Sequence, residues 1–265
     1  MNAQVLDHRP AAAVPSPRRL LGAYVEETRC EALRLLRNPG LALPVLVMPV
    51  ALYALIALVV AGEATAKDPL VGVFLFSAFS VMAISMPALF GIGASLAMER
   101  EMGMLRLKRA QPAPAGSWLV AKIACGLAFG VLAYLPILAT ALAADRLPLD
   151  AMRIVAMSAV LVACAIPFCA MGLMIGTLFR GGSAPGYANL VYLPGCYLSG
   201  MFFPLPKSMH WQVPVWPQFH VNQLAMHAAG VEKFQFESAL MAAAGAVGFT
   251  ALFSAVAIWR LARKG

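Results

Sequence analysis

Six long apolar runs separated by short polar stretches dominate the chain, over residues 41–61, 71–97, 118–143, 152–178, 186–203 and 237–259. A helix rises 1.5 Å per residue, so about 20 residues cross the ~30 Å of hydrocarbon in a bilayer. The runs predict an all-α integral membrane protein with six transmembrane helices. Ahead of them the pattern changes. Ser16 can cap a helix, Pro17 suits its first position, and Asn38, Pro39 and Gly40 end it. Within these limits Leu21, Tyr24, Val25, Thr28, Ala32, Leu35 and Leu36 share one face, while Arg19, Glu26, Glu27, Arg34 and Arg37 lie mostly elsewhere. Such an N-terminal amphipathic helix lies along the interface, either as a surface anchor or as an anchor that also touches a cytoplasmic partner. The chain thus divides into a polar tail over 1–15, expected to be disordered, the amphipathic connecting helix over 16–40, and a six-helix domain over 41–265.

Composition agrees with this division. Hydrophobic residues make up 61% of the chain and charged ones 12%, about half of the ~25% a soluble domain carries. The net charge of +8 raises nucleic acid as a partner, yet the basic residues cluster at the ends of apolar runs and no nucleic-acid-binding motif accompanies them. They report topology instead. With the N-terminus inside, the inner segments hold Arg9, Arg18, Arg19, Arg29, Arg34, Arg37, Arg100, Arg106, Lys108, Arg109, Lys122, Arg180, Arg260, Arg263 and Lys264. The outer side holds only Lys67, Arg146, Arg153, Lys207 and Lys233. Both termini are therefore expected in the cytoplasm. Pro136 and Pro167 can kink the third and fourth spans.

Candidate chemistry narrows the picture by what it lacks. None of the apolar runs has an Asp, Glu, Lys, Arg or His near its middle, where ion-coupled carriers usually keep one. Ser199 precedes Gly200, but the G-x-S-G arrangement of an intramembrane protease is absent, and so are H-E-x-x-H and the phosphate-cradling G-x-x-x-x-G-K-[ST]. No catalytic or metal site is expected, and the five scattered cysteines form no ligand pattern. His210, His220 and His227 in the last outer segment read as packing or hydrogen-bonding groups. Gly91 and Gly93 read as a place of close helix packing.

Two segments carry more. The loop from Met98 to Pro114 is short, densely charged and closed by prolines; Met102, Leu105 and Arg109 would give a short helix one mixed apolar and basic edge, suited to docking on a soluble domain. A solvated connector has the same composition. Beyond the fifth run, residues 207–236 hold Trp211, Trp216, Phe219 and several prolines, too broken for a full span and too apolar for a free loop. Short interfacial or re-entrant helices before the last span fit, as a structural cap or as a gate.

The E-R-E-x-G-x-L-x-x-x-R-A-x-P pattern at Glu99 to Pro112 and the N-L-x-Y-L-P…L-S-G-x-F-F-P-L-P pattern at Asn189 to Pro206 resemble the type-2 permeases of ATP-binding cassette (ABC) exporters. The amphipathic leader ending in Arg37, Asn38 and Pro39 is typical of them too; Met104 departs from the threonine common after the loop glycine. The resemblance implies a permease subunit in a bacterial cytoplasmic (inner) membrane, paired as a homodimer or with a second permease. Separate ATPase subunits would hold ATP and Mg, and this chain would bind no cofactor. The coupling residues implied are Glu99, Arg100, Glu101, Gly103, Leu105 and Arg109, and the outer gate or cap is Ser199, Gly200, Phe202, Phe203, Pro204 and Pro206. The competing expectation is a carrier or channel that works without ATP.

Overall fold

The computed structural model describes residues 16–110, 114, 116–203 and 205–264; the tail over 1–15, Pro112 and Pro204 lie outside them. Every regular element among the described residues is a helix. In chain order these are α1 (Pro17–Leu36), α2 (Pro39–Tyr53), α3 (Gly62–Lys67), α4 (Pro69–Met86), α5 (Ile92–Glu101), α6 (Met104–Ala110), α7 (Ser117–Ala143), α8 (Ala151–Ala163), α9 (Ala165–Leu178), α10 (Ala184–Leu198), α11 (Pro217–Ala229) and α12 (Ala239–Lys264). A π-helical stretch, Ala54–Val60, prolongs α2, and another, Pro87–Gly91, joins α4 to α5.

Local chemistry explains the boundaries. Pro17, Pro39 and Pro69 sit in the first turn of their helices, where the missing N–H costs nothing. Asp68 accepts from Leu70 N at 3.1 Å and Asp150 from Arg153 N at 2.9 Å, capping α4 and α8. Ser16 occupies the cap of α1 in extended backbone, although its side chain makes no capping bond. Pro167 has no N–H for the Ala163 carbonyl, and the fourth apolar run breaks at Cys164 into α8 and α9. Pro136, by contrast, lies inside an uninterrupted α7.

Five helical stretches are long and apolar enough to cross a membrane: Ala42–Val60, Pro69–Glu101, Ser117–Ala143, Ala151–Leu178 and Ala239–Arg263. The expected fifth run, 186–203, is not among them. Its helix, α10, has 15 residues and ends before Gly200, whose φ of +69° turns the chain into a left-handed conformation. At roughly 22 Å α10 falls short of the hydrocarbon thickness. Hydropathy cannot register that turn, because the residues beyond it, Met201, Phe202 and Phe203, are as apolar as the helix.

The α4–α5 stretch is the centre of the molecule. Its apolar length is entirely buried, against 22% for the first and the last stretch. Close approach to α9 depends on small residues: a Cβ added at Gly93 would lie 3.1 Å from the Gly172 carbonyl oxygen, and one at Gly176 would lie 2.8 Å from that of Gly93. Gly172 and Gly176 form a G-x-x-x-G pair that lets two backbones touch. At 33 residues, or roughly 50 Å, α4–α5 is longer than the ~30 Å of hydrocarbon, with Glu99–Glu101 at its end.

At the opposite end, the chain after α10 folds back on the bundle. A 3₁₀ helix, Lys207–Val215, leads to α11, which begins with Trp216 and Gln218 against Gly195 of α10 and ends with Gly230 against Arg153 of α8. His220 of α11 packs against Gly245 of α12. Gln218, His220, Asn222 and Gln223 are all buried, so α11 inserts a polar stripe between α4, α8 and α12.

Candidate functional site

Helices α1, α5, α6 and α7 converge on a buried group of charges. Lys122, in the second turn of α7, is 0% exposed, and its Nζ lies 2.9 Å from Glu31 Oε1, 3.0 Å from Ser95 Oγ and 2.8 Å from Glu99 Oε1. An ammonium has three N–H donors, and here each has an acceptor. Arg34 bridges the same carboxylates, at 2.5 Å to Glu31 Oε1 and 2.9 Å to Glu99 Oε1. Lys108 of α6 donates to Glu27 Oε1 at 2.6 Å and stands 3.9 Å from Glu99 Oε2. Three carboxylates thus face three cations. An isolated charge buried here would cost several kcal/mol; the balanced set offsets that by mutual pairing.

Helical spacing builds the group. Glu27, Glu31 and Arg34 lie at i, i+4 and i+7 on α1, and Ser95 and Glu99 at i and i+4 on α5. The stripe turned towards α7 contains Glu31, at 6% exposure, whereas Leu21, Val25 and Leu36 of the expected apolar face point outward at 67%, 56% and 54%. An amphipathic pattern shows that a helix has two faces; which one meets protein depends on partners elsewhere in the chain. Cys125 Sγ, 3.3 Å from the Thr28 carbonyl oxygen, completes the α1–α7 seam.

Beside the cluster, the short turn at Gly103 (φ +71°) reverses the chain between α5 and α6. Arg100 donates to the Gly176 carbonyl at 2.8 Å, and Glu101 accepts from Gly181 N at 2.9 Å, which fastens the end of α5 to the α9–α10 turn. Arg100, Glu101, Gly103 and Leu105 gather, with Arg106 and Arg180, around a cavity of about 490 Å³. Leu105 is turned inward, so the exposed edge of α6 and its approach consists of Met102, Met104, Arg106 and Leu107. Glu99 belongs to the buried cluster. Arg109 lies in the last turn of α6.

The residues expected at the outer cap divide between two recesses. Phe202 and Phe203 join Met48, Leu52 and Ile56 of the first apolar stretch, Leu75, Phe79 and Met82 of α4, and Leu193, Cys196 and Tyr197 of α10 around an uncharged groove of about 110 Å³. Phe202 packs on Phe79 with ring centres 5.1 Å apart. Ser199, whose Oγ donates to the Cys196 carbonyl, and Gly200 line a separate cavity with α11. Pro206, exposed, precedes the 3₁₀ helix.

Lys122, Glu31, Arg34 and Lys108 were not among the expected functional residues. The available signal was a lysine set four residues inside an apolar run, which counts towards orientation and equally marks a buried charge in need of a partner. Those partners are 91 and 23 residues away in sequence.

These features define a multi-pass membrane protein with a buried ionic cluster at one end of its bundle. The sequence pattern of the ABC-2 type transporter family matches residues 27–227, well over half of the chain, and the chain belongs to that family of transport permeases. It is also similar to YvfS of Bacillus subtilis (strain 168), a protein named as a transport permease, with 26% identity over 201 residues that cover 74% of this chain and 80% of YvfS.

Proposed function

We propose that the chain is the transmembrane subunit of an ATP-driven ABC exporter. Two permeases pair, as a homodimer or heterodimer, and separate ATPase subunits carrying ATP and Mg dock beneath α6. On this reading α10 supplies a sixth crossing, the 3₁₀ helix and α11 form a re-entrant pair on the outer side, and both termini lie in the cytoplasm. The membrane is the bacterial cytoplasmic one.

The observation that carries the proposal is the ionic cluster. A docking helix must pass a push from a soluble motor to the spans, and α6 is joined to α1 through Lys108–Glu27 and, through Glu99, Lys122 and Arg34, to α5 and α7. Separating such charges in low dielectric is costly, so the helices are expected to move as one body. Glu101–Gly181 and Arg100–Gly176 extend the body to the base of α9 and α10. One element can switch within it. Glu99 Oε2 has no hydrogen bond among the described residues, and Lys108, 3.9 Å away, can reach it by a small rotation of α6. The uncharged groove between the first stretch, α4 and α10 is the surface on which a path between two permeases would be built, with Phe202 and Phe203 at its outer end.

Charge reversal by Glu101→Arg or Arg109→Glu is expected to lower both ATP-dependent transport in reconstituted vesicles and co-purification with the ATPase. Survival of both functions would remove the coupling role. Lys108→Met is expected to keep the ATPase bound while reducing transport per ATP hydrolysed. Loss of ATPase binding in that variant would make Lys108 a docking contact instead of a relay.

A further inference from the structure

The end of the bundle opposite α6 contains a cavity of about 460 Å³ that the transport reading leaves unused. Its apolar wall is Phe74, Leu205, Val213, Phe219, Phe236 and Met241. It is separate from the groove: Phe74 and Ser77 occupy one face of α4, and the groove residues Leu75, Phe79 and Met82 another.

The wall is preformed. Gln223 donates to the Phe234 carbonyl at 3.2 Å and accepts from Phe236 N at 2.7 Å, which fixes the segment before α12. His220 lies 2.8 Å from Glu237 Oε1 and 2.9 Å from the Pro214 carbonyl oxygen, so α11 holds both that segment and the 3₁₀ helix. His227 Nε2, 2.7 Å from the Glu237 carbonyl oxygen, adds a third tie. A pocket shaped in advance spares a ligand the entropy of ordering it.

Its polar groups are few and leave specific valences. Asn222, 2% exposed, uses its Oδ1 to accept from Ser77 Oγ at 2.5 Å, and its amide N–H groups have no partner among the described residues. The wall carboxylate, Glu237, already has His220. Lys207, exposed at the rim, has no carboxylate partner among the described residues and is the cation left for a ligand.

We infer that this cavity is a binding site for a single-chain amphiphile with an anionic head, the chain lying among the phenylalanines and the head paired with Lys207. A volume of 460 Å³ falls within the ~300–1,000 Å³ of small-molecule sites. At ~30 Å³ for each water-sized group it holds on the order of fifteen non-hydrogen atoms, enough for one short chain and far too few for a two-chain phospholipid. Asn222 offers its amide to an ester or carboxyl oxygen. The inference does not depend on ATP coupling.

The full-length protein in nanodiscs of zwitterionic lipid, exposed to a diazirine-bearing fatty acid and mapped by mass spectrometry, tests it. Labelling is expected on peptides containing Phe74, Phe219 or Phe236. Lys207→Met should weaken labelling on the order of tenfold, the effect of losing one charge-assisted hydrogen bond. Met241→Trp, on the exposed side of the wall, should block labelling by filling space; each variant is checked for an unchanged melting temperature. Competition by unlabelled fatty acid alone assigns a carboxylate head, and competition by lysophosphatidylglycerol as well extends the site to phosphate heads. Absence of labelling, labelling confined to the groove at Met48 and Phe79, indifference to both substitutions, or equal competition by lysophosphatidylcholine would overturn the inference.

Discussion

Lys122 is the residue on which the most charge depends. Its replacement by methionine keeps much of the volume but leaves Glu31 and Glu99, both under 10% exposed, sharing Arg34 as the one cation at hydrogen-bond distance among the described residues. Removing one partner of a buried ion group costs about 3–5 kcal/mol, so Lys122→Met is expected to melt well below the wild type in detergent. Adding Glu99→Gln to Lys122→Met removes a stranded charge and should recover part of the loss, which a double-mutant cycle on thermal unfolding measures. Additive losses would mean that the two side chains do not act as a unit. At this scale the sequence was legible by type and illegible by partner. It offered a lysine inside an apolar run and glutamates on two helices. Only the crossing of α1, α5 and α7 brings together residues up to 91 positions apart.

Between elements, the α5–α9 crossing is held by absence of side chains. Gly176→Ala would set a Cβ 2.8 Å from the Gly93 carbonyl oxygen and 2.9 Å from Leu96 Cβ; overpacking of that kind costs about 1–3 kcal/mol, and Gly176→Leu should cost more. Gly182→Ala, with nothing within 4 Å of the added atom, is the matched control and should change the melting temperature little. A second tie is sensitive to acid. The Asp68 carboxylate is hydrogen-bonded to Lys233, which lowers its pKa from the ordinary value. A carboxylate with a lowered folded pKa contributes its stabilisation above the unfolded pKa of ~3.9 and loses it as pH falls through the still lower folded value. Hydrogen exchange over 231–238 is therefore expected to rise only below about pH 4, and in Asp68→Asn to be raised already at neutral pH. The close packing at Gly93 was readable from G-x-G in an apolar run. The break at Cys164 follows from Pro167 once the helix is known. The early end of α10 was not readable, since Gly200 sits in a stretch whose hydropathy never falls. The turn at Gly200 also places Ser199 and Gly200 on one recess and Phe202 and Phe203 on another.

Parity decides how the whole molecule sits in the membrane. Five long apolar stretches taken alone are an odd number and would leave α1 and the end of α12 on opposite faces. Six crossings assign fifteen of the twenty Lys and Arg residues to one side and five crossings assign fourteen, so the basic residues alone do not choose between the two. On the proposed reading α10 supplies a sixth crossing. Its roughly 22 Å can be completed by the apolar residues 201–203 and by α11, whose first turn meets α10 at Gly195 and whose polar stripe is buried in protein, the condition under which irregular backbone is tolerated at depth. Single cysteines in a background lacking the exposed Cys30 separate the alternatives. Trp211→Cys, at an 81% exposed position, is expected to react with a membrane-impermeant maleimide added to intact cells, whereas Leu107→Cys, 66% exposed on α6, should react only after permeabilisation. A reporter fused after Gly265 should then be active on the same side as Leu107. If Trp211→Cys instead reacts only after permeabilisation, as Leu107→Cys does, and the fusion reports from the opposite side, α10 does not cross. The cluster at α1 and the end of α12 would then face different compartments, and a docking ATPase could not act on both.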